Sequence, residues 1–395
     1  MYRPPIESLP AILNKIFRHK YGFLNIKSWE SNLHNVSPVP DYIITIAITE
    51  ITPQIDNFFD KLKKTIINCK SFGYVLFTSN LTAYDLNIFR DKINLFSIPS
   101  EIFTIDTHNC TEDTLTSLAL DLAAATLQRR GNIINLNQRS IVDTSLIYYH
   151  NKYLHKSYAI FGKLISEEQE KENYPKSYIF DKLAIAKYKT LVERLALVLD
   201  SSSYTTKLEH TFCSMANFSI QSYIYNNIGG ISTDIESSLS KDLEKKLLSY
   251  DYDIYYSSKP KCYVPYKVIG DTIDLNHLDI EPAHIVFRRY AIKAILRNNW
   301  NDQEDLTKIL EKLHLGEQDI SIAKQSYYFG SLWHFVQKKS PLLHHRPLSN
   351  GHLPYETMRL QNIIDIIKEK PSSSLPYQIH TYNSNNKLIA FTSHD

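Results

Sequence analysis

Runs of β-branched residues alternate with amphipathic segments over the first quarter of the chain. Residues 41–48, DYIITIAI, form a continuous β-branched run, which predicts a strand buried on both faces. Pro53 opens a segment with apolar residues at helical spacing, which predicts a helix. The pattern then predicts strands over 73–79 and 101–106, with a helix over 83–91 between them. Because strands that alternate with helices form parallel sheets, we predict an α/β fold.

Helical patterns dominate the chain on both sides of this unit. Residues 1–40 predict short helices, over 11–18 and 28–33. From 111 to 210 the pattern is mostly helical, which predicts a large insertion that either covers the sheet or stands out from it. Short strands are predicted within 260–280, followed by helices over 284–297, 303–313 and 355–369 and a last strand, KLIAFT, at 387–392.

The composition excludes several classes of protein. The 395 residues carry 44 Lys and Arg against 42 Asp and Glu, a net charge of +2, and 43% of them are hydrophobic. These values are typical of a globular chain, and at about 150 residues per domain they predict two domains or one with an insertion. Because acidic residues dilute the basic ones everywhere, we expect no nucleic-acid binding. No run approaches the roughly 18 apolar residues of a membrane span, so we expect a soluble protein with no transmembrane segment.

A glycine turn followed by two acids is the segment with the clearest chemistry. Residues 213–228 show apolar positions on one side of a predicted helix, which ends at Gly229 and Gly230, where a glycine C-cap is expected. The extended piece that follows carries Asp234 and Glu236, and residues two apart in an extended chain point the same way. Both carboxylates can therefore bind one hard cation, Mn²⁺ or Mg²⁺, which neutralises the diphosphate of a sugar nucleotide. The alternative is that the two acids cap the next helix.

This stretch resembles the DXD region of the GT-A glycosyltransferases that include bacterial glucosylating toxins, related secreted effectors and outer-chain mannosyltransferases. In that family a helix leads into Gly-Gly-Ile/Val-Tyr-Leu-Asp-x-Asp, and residues 229–236 read GGISTDIE here. Residues 41–79, a strand, a turn, a Pro-led helix and a second strand, resemble the opening nucleotide-binding unit of the family. Residues 274–298 resemble the segment that follows the DXD motif, where a long helix ends in Asn.

The resemblance implies a GT-A-like, Rossmann-like nucleotide-sugar transferase core with a large helical insertion. It implies an enzyme that transfers a hexose from a UDP- or GDP-linked sugar to a protein or glycan acceptor, with retention of configuration. It also implies a secreted effector acting in a host cell, and a bacterial cytoplasmic location stays open. The resemblance implies five parts. Residues 1–40 are an N-terminal helical segment, 41–110 a nucleotide-binding α/β unit and 111–210 a helical insertion. Residues 211–300 are a DXD-type catalytic segment, and 301–395 are a C-terminal helical region with a closing loop.

Site residues follow from the positions that match the family motif. Asp234 and Glu236 match the metal-binding and catalytic acids, and Gly229 and Gly230 match the glycines beside the donor. The other implied donor-binding residues are Ile46, Ala47, Asn217, Gln221, His380, Asn383 and Ser384.

Several of these positions depart from the family pattern. Ile46 and Ala47 stand where the family places a Trp that stacks on uracil. Asn217 and Gln221, on one face of the predicted helix, replace an acid and an arginine that hold the sugar and the phosphate. The second motif acid is Glu236 instead of Asp, and the C-terminal loop lacks its usual Trp. The alternative function is therefore a catalytically inactive, glycosyltransferase-like binding or scaffold protein.

Two further clusters contain residue types that can bind metals. Residues 250–253, YDYD, contain a second Asp-x-Asp, which we interpret as a solvated turn because no glycine turn precedes it. His344, His345 and His352 lie in a Pro-containing stretch without an HExxH motif, which favours an exposed loop over a transition-metal site.

Overall fold

A computed structural model of the chain describes residues 20–21, 26–33, 40–105, 110–166, 176–199, 210, 213–232, 238–265, 280–348 and 352–369. The predicted helix over 11–18 and the predicted strand over 387–392 lie outside these residues. None of the helices in the described parts is long and apolar enough to cross a bilayer.

Within the described residues, nine strands form one mixed sheet. The strands are β1 Ile26–Ser31, β2 Tyr42–Ile48, β3 Gly73–Ser79, β4 Ser100–Ile105, β5 Asn132–Asn137, β6 Ile141–Val142, β7 Ala159–Ser166, β8 Asn217–Gln221 and β9 Ile254–Val264. Their order across the sheet is β1-β4-β3-β2-β5-β8-β7-β9-β6. Strands β4, β3, β2 and β5 run parallel to one another, whereas β8 runs antiparallel to both of its neighbours.

Twelve α-helices accompany the strands in the described part of the chain. They are α1 Ile55–Asn68, α2 Ala83–Phe96, α3 Glu112–Leu127, α4 Leu146–Leu154, α5 Lys176–Leu199, α6 Ser222–Asn227, α7 Leu239–Ser249, α8 Ala283–Asn299, α9 Gln303–Lys312, α10 Glu317–Lys324, α11 Phe329–Lys339 and α12 Leu353–Glu369. The predicted α/β fold is confirmed, and so are the three alternating strands and two helices between residues 41 and 106.

Apolar side chains from α1 and α2 explain why this first unit was predictable. Strands β2 and β3 are buried along their whole length, as continuous apolar runs require. Phe59 of α1 and Phe89 of α2 both pack on Phe77 of β3, with the Phe77 and Phe89 rings at 90° and 5.1 Å between centroids. These aromatic contacts fix the two helices on one face of the sheet.

Two sequence predictions need correction. The helix predicted over 28–33 is wrong, because β1 lies there and pairs antiparallel with β4, and hydrogen bonding to a neighbouring strand overrode the local pattern. The region 111–210 contains long helices, as predicted, but it also contributes β5, β6 and β7 to the sheet.

The chain divides into two compact units. One comprises Met1–Asn173, Phe212–Leu247 and Asp253–Thr272, and it contains the whole sheet. The other comprises Tyr174–Thr211, Leu248–Tyr252 and Ile273–Asp395, and its described secondary structure is helical. The five-part division drawn from the sequence stays a prediction.

Candidate functional site

The order of the parallel strands creates a crevice in the first unit. From β2 the chain passes to β3 and then to β4 on one side, and it returns to the other side of β2 with β5. The connections on the two sides of this point leave in opposite directions, so the carboxyl ends of β2 and β5 are left uncovered. Ligands of open α/β sheets bind at such a switch point.

A cavity of about 420 Å³ lies at this switch point. Its wall includes Ala47 at the end of β2 and residues 135–137 at the end of β5. Residues 111–113 at the start of α3, 214–216 before β8 and 238–240 at the start of α7 complete most of the wall. We call this space the switch-point cavity.

Two carboxylates and one guanidinium give the switch-point cavity its charge. Glu112 and Asp113 lie in the first turn of α3, and burial raises the pKa of both carboxyl groups. The Glu112 carboxylate accepts a 2.6 Å hydrogen bond from Asn137 Nδ2. Arg139 also lines the cavity and pairs with Glu50 at 2.6 Å. The arrangement offers oxygen ligands to a cation and a fixed positive group to an anion.

Asn135 holds the cavity wall together. It accepts a 2.8 Å hydrogen bond from Thr45 Oγ1 and donates one of 2.5 Å to the carbonyl oxygen of Met215. Both polar ends of this buried amide are therefore used to fix the segment before β8 against β5. Neither this residue nor Asn137 was predicted as a site residue, although the asparagines that interrupt the apolar run in NIINLN are the signal that marks them.

The structure places the implied site residues very differently from one another. Ala47 lines the switch-point cavity, whereas Ile46 points into the apolar core and is fully buried. Asp234 and Glu236 lie outside the described residues, between Ser232 and the cavity-lining Ser238. His380, Asn383 and Ser384 also lie outside the described residues.

The helix predicted over 213–228 is wrong for its first half, and this moves Asn217 and Gln221. Residues 217–221 form β8, in which polar residues alternate with Phe218 and Ile220, the period of a strand. Gln221 pairs with Asn132 at the amino end of β5, and its Nε2 donates to the carbonyl oxygen of Ser157 at 3.2 Å. Because β8 runs antiparallel to β5, it carries Gln221 away from the cavity.

Asn217 is occupied by protein groups. It is completely buried, and its Nδ2 donates to the carbonyl oxygens of Lys163, at 3.2 Å, and Pro260, at 3.0 Å. Its Oδ1 lies 2.8 Å from Nε2 of His150. The interpretation of Asn217 and Gln221 as donor contacts on one helical face is therefore corrected. Asn217 joins β8 to β7 and β9, and Gln221 joins the end of β8 to the segment after α4.

The buried His150 gives the protein a pH-dependent stability. Its Nδ1 lies 2.6 Å from Ser219 Oγ, and burial lowers its pKa to about 4. Unfolding restores an ordinary pKa, so the unfolded state takes up the proton first as the pH falls below about 6.5. We expect the histidine to lower the free energy of unfolding by about 2 to 3 kcal/mol between pH 7.5 and pH 4.5. Urea denaturation of the unmodified protein and of His150→Asn at both pH values measures this difference. An equal change in the free energy of unfolding between the two pH values for both proteins would contradict it.

The predicted glycine cap is confirmed in detail. Gly229 and Gly230 have φ values of 77° and 65°, and they close α6 by donating to the carbonyl oxygens of Asn226, at 3.1 Å, and Tyr225, at 3.0 Å. This pair of hydrogen bonds is the Schellman motif. The turn directs the chain towards the segment that carries Asp234.

The two glycines are expected to differ in their tolerance of alanine. A Cβ on Gly230 would lie 3.0 Å from Asp121 Oδ1, whereas a Cβ on Gly229 would have nothing within 4 Å. The left-handed backbone alone costs about 1 to 2 kcal/mol in either variant. We expect Gly230→Ala to be the more destabilising variant in urea denaturation. Equal losses in the free energy of unfolding for Gly229→Ala and Gly230→Ala would show that a Cβ at position 230 makes no unfavourable contact with Asp121.

Comparisons with known proteins add little to this geometry. No protein family model matches the chain, and no curated protein matches it. A crystal structure of S. aureus TarS, residues 1–349, is similar with a TM-score of 0.41 and 12% identity, over 90% of this chain and 100% of that one. The mannosyltransferase PcManGT from Pyrobaculum calidifontis, in complex with GDP-Man and Mn²⁺, is similar with a TM-score of 0.40 and 9% identity, over 93% and 88%. Similarity at this level assigns neither a family nor an activity.

Proposed function

We propose that the protein is a metal-dependent glycosyltransferase that binds a UDP- or GDP-linked sugar in the switch-point cavity. The observation that carries the proposal is the position of the cavity, at the carboxyl ends of β2 and β5, where parallel sheets bind nucleotides. Ser238 lines it and follows Glu236 by two residues, so the chain keeps their Cα atoms within about 8 Å. The sequence resemblance to GT-A glycosyltransferases implies, independently of the cavity, that this same segment binds the donor and its metal.

The charges of the cavity favour a divalent cation beside the donor. Glu112 and Asp113 contribute carboxylates, and a diphosphate placed among them is repelled unless a cation neutralises it. We propose that Asp234 and Glu236 hold Mn²⁺ or Mg²⁺, both of which take carboxylate oxygens as ligands. The described residues contain no cluster of three or more His, Cys, Asp or Glu side chains suited to a metal.

The cavity residues have separate roles in the proposed transfer. The bond between the sugar C1 and the diphosphate oxygen breaks, and the nucleoside diphosphate leaves with the electron pair. An acceptor hydroxyl forms the new bond to C1 and passes its proton to the leaving diphosphate. A bound cation supplies charge neutralisation to the leaving diphosphate. Arg139, held by Glu50, offers guanidinium donors to phosphate oxygens, and the small side chain of Ala47 leaves room for the donor.

The finer features of the proposal rest on the sequence resemblance. These are a hexose as the transferred sugar, retention of configuration, a protein or glycan acceptor, and delivery into a host cell as an effector. The same cavity is equally compatible with an enzyme that stays in the bacterial cytoplasm.

A thermal-shift panel of UDP-glucose, UDP-N-acetylglucosamine and GDP-mannose, with Mn²⁺ or with EDTA, tests the proposal. A donor at a hundredfold excess over its Kd stabilises the folded state by about 2.7 kcal/mol, which raises the unfolding midpoint by a few degrees. We expect at least one donor to raise the midpoint with Mn²⁺ and not with EDTA. No response to any donor would contradict the proposal.

A catalytically inactive binding protein is the second candidate. The observation that favours it is that Asn217 and Gln221, the positions matched to donor contacts, bind protein groups instead. The two candidates differ in turnover, because a site that activates the bond between the sugar and the diphosphate can also transfer the sugar to water, which is itself a hydroxyl acceptor. Donor binding without release of free nucleotide diphosphate over many hours would support the inactive protein.

A further inference from the structure

An ion pair between two loops occupies the guanidinium of the switch-point cavity. Arg139 lines the cavity two residues after the end of β5, and Glu50 stands two residues after the end of β2. Nε and Nη2 of Arg139 donate to the same Glu50 oxygen, Oε1, at 3.2 and 2.6 Å. One edge of the guanidinium is therefore bound by an anion that belongs to the protein itself.

The backbone of Arg139 is held in place, whereas its ion pair is exposed. The backbone N–H of Arg139 donates to Asn137 Oδ1 at 2.8 Å, and Asn137 Nδ2 donates to the Glu112 carboxylate at 2.6 Å. The exposed fractions of the paired side chains are 31% for Arg139 and 54% for Glu50. Because water and salt screen an ion pair this exposed, the pair is weak. A ligand anion can therefore replace Glu50 while Arg139 stays at the cavity.

Negative charge exceeds positive charge around this ion pair. Glu112 and Asp113 contribute carboxylates to the cavity wall, and Glu50 adds a third beside it. Burial raises the pKa of the Glu112 carboxyl group, and the charge of Arg139 lowers it. The charges of Asp113 and Glu50 raise the same pKa, so all of these groups act on one another electrostatically. A free polyphosphate that enters the cavity is therefore repelled by the carboxylates, and it must displace Glu50 to bind Arg139.

We propose that Glu50 is a specificity-determining residue, which makes the cavity prefer a diphosphate complexed with a divalent cation to the free anion. This inference rests on the proposed binding of a nucleoside diphosphate in the switch-point cavity. Glu50 competes with phosphate oxygens for Arg139, and its charge repels a ligand more strongly the more negative the ligand is. A bound Mn²⁺ or Mg²⁺ cancels part of the diphosphate charge, so the complex is repelled less. Repulsion of the wrong ligand is a general source of specificity.

Calorimetric titration of Glu50→Gln with UDP and GDP, each with Mn²⁺ or with EDTA, and with inorganic pyrophosphate in EDTA tests this role. Relative to the unmodified protein, we expect binding of these anions in EDTA to tighten by about fivefold or more, and binding with Mn²⁺ to tighten by less than about twofold. Asp60→Asn is the matched control, because Asp60 forms an exposed ion pair with Lys64 on α1 at 2.6 Å and the variant changes the net charge equally. Its affinities are expected to equal those of the unmodified protein.

An unchanged affinity for every anion in EDTA would overturn the proposal, and so would an equal gain with Mn²⁺ and with EDTA or the same gain in Asp60→Asn. The pair Arg139→Gln and Glu50→Gln/Arg139→Gln shows whether the gain depends on Arg139, and a full gain without the guanidinium would also contradict the competition. Failure of this proposal is distinct from failure of the donor site. Nucleotide binding with Mn²⁺ and no gain in Glu50→Gln contradicts only the role of Glu50, whereas a gain for pyrophosphate without nucleotide binding supports that role and contradicts the donor site.

Discussion

Replacement of Asp121 by alanine is expected to destabilise the protein by about 3 to 5 kcal/mol, the range measured when one partner of a buried ion pair is removed. Asp121 lies on α3 with an exposed fraction of 8%, and it pairs with Lys20 at 2.6 Å. Its carboxylate also accepts hydrogen bonds from the hydroxyls of Tyr21, at 2.8 Å, and Tyr225, at 2.7 Å. Alanine would leave all three donors without this acceptor.

The same variant is expected to weaken donor binding. The Tyr225 hydroxyl that donates to Asp121 accepts a hydrogen bond from the backbone N–H of Ile231 at 3.3 Å, directly after the glycine turn. Loss of Asp121 therefore loosens the start of the segment that carries Asp234.

Asp121→Asn is the control for this prediction, because it keeps one acceptor oxygen and removes the charge. It is expected to cost less than Asp121→Ala in urea denaturation at neutral pH, about 1.5 to 3 kcal/mol. A loss below about 1 kcal/mol for alanine would show that the network contributes little to folding.

Asp234→Ala and Glu236→Ala are each expected to weaken Mn²⁺-dependent nucleotide binding by at least about a hundredfold, since groups that merely orient metal ligands are already worth about 10- to 100-fold. The expected loss of folding stability is small if the two acids hold a metal at the cavity as proposed, because solvent-accessible carboxylates contribute little to it. Titration calorimetry with Mn²⁺ and the thermal midpoint of each variant measure the two effects separately.

Glu236→Asp is the matched control for the metal prediction. It shortens the side chain by one methylene, keeps the carboxylate and restores the acid usual in the resembling family. We expect it to retain most of the Mn²⁺-dependent binding. Equal losses of folding stability in both alanine variants, with nucleotide binding unchanged, would instead support the role of these acids as helix caps.

The first parallel unit was readable from the sequence because its strands are buried on both faces. Tyr42–Ile48 and Gly73–Ser79 have no exposed position, so their apolar runs are continuous and admit one interpretation. The glycine turn was equally readable, because φ values of 77° and 65° at Gly229 and Gly230 lie in the left-handed region, which favours glycine.

Strand β8 was misread for a physical reason. The spacing of Ala216, Ile220 and Ile224 fits a helical stripe, but Asn217, Phe218, Ser219 and Ile220 alternate as in a strand. Strands β5 and β7, distant in sequence, supply the hydrogen bonds that decide between the two patterns. A local pattern contains no information about such partners.

The cavity itself was only partly predictable. Ala47 was identified as a site residue through the family resemblance, and it does line the cavity. Glu112 and Asp113 were missed, because acids at the start of a helix are common for reasons of helix stability alone. Only the strand order, with β5 returning beside β2, brings them to the switch point.

The central claim, that the switch-point cavity binds the nucleotide, is tested most directly by calorimetric titration of UDP and GDP in the presence of Mn²⁺. Met215→Trp places a bulky ring at a half-buried position in the cavity wall, and Met358→Trp makes the same change at a position that is 57% exposed on α12. We predict a Kd within the roughly 1 μM to 1 mM range usual for enzyme substrates in the unmodified protein and in Met358→Trp, and binding at least about tenfold weaker in Met215→Trp. Undiminished binding in Met215→Trp, or no binding of either nucleotide to the unmodified protein, would contradict the account.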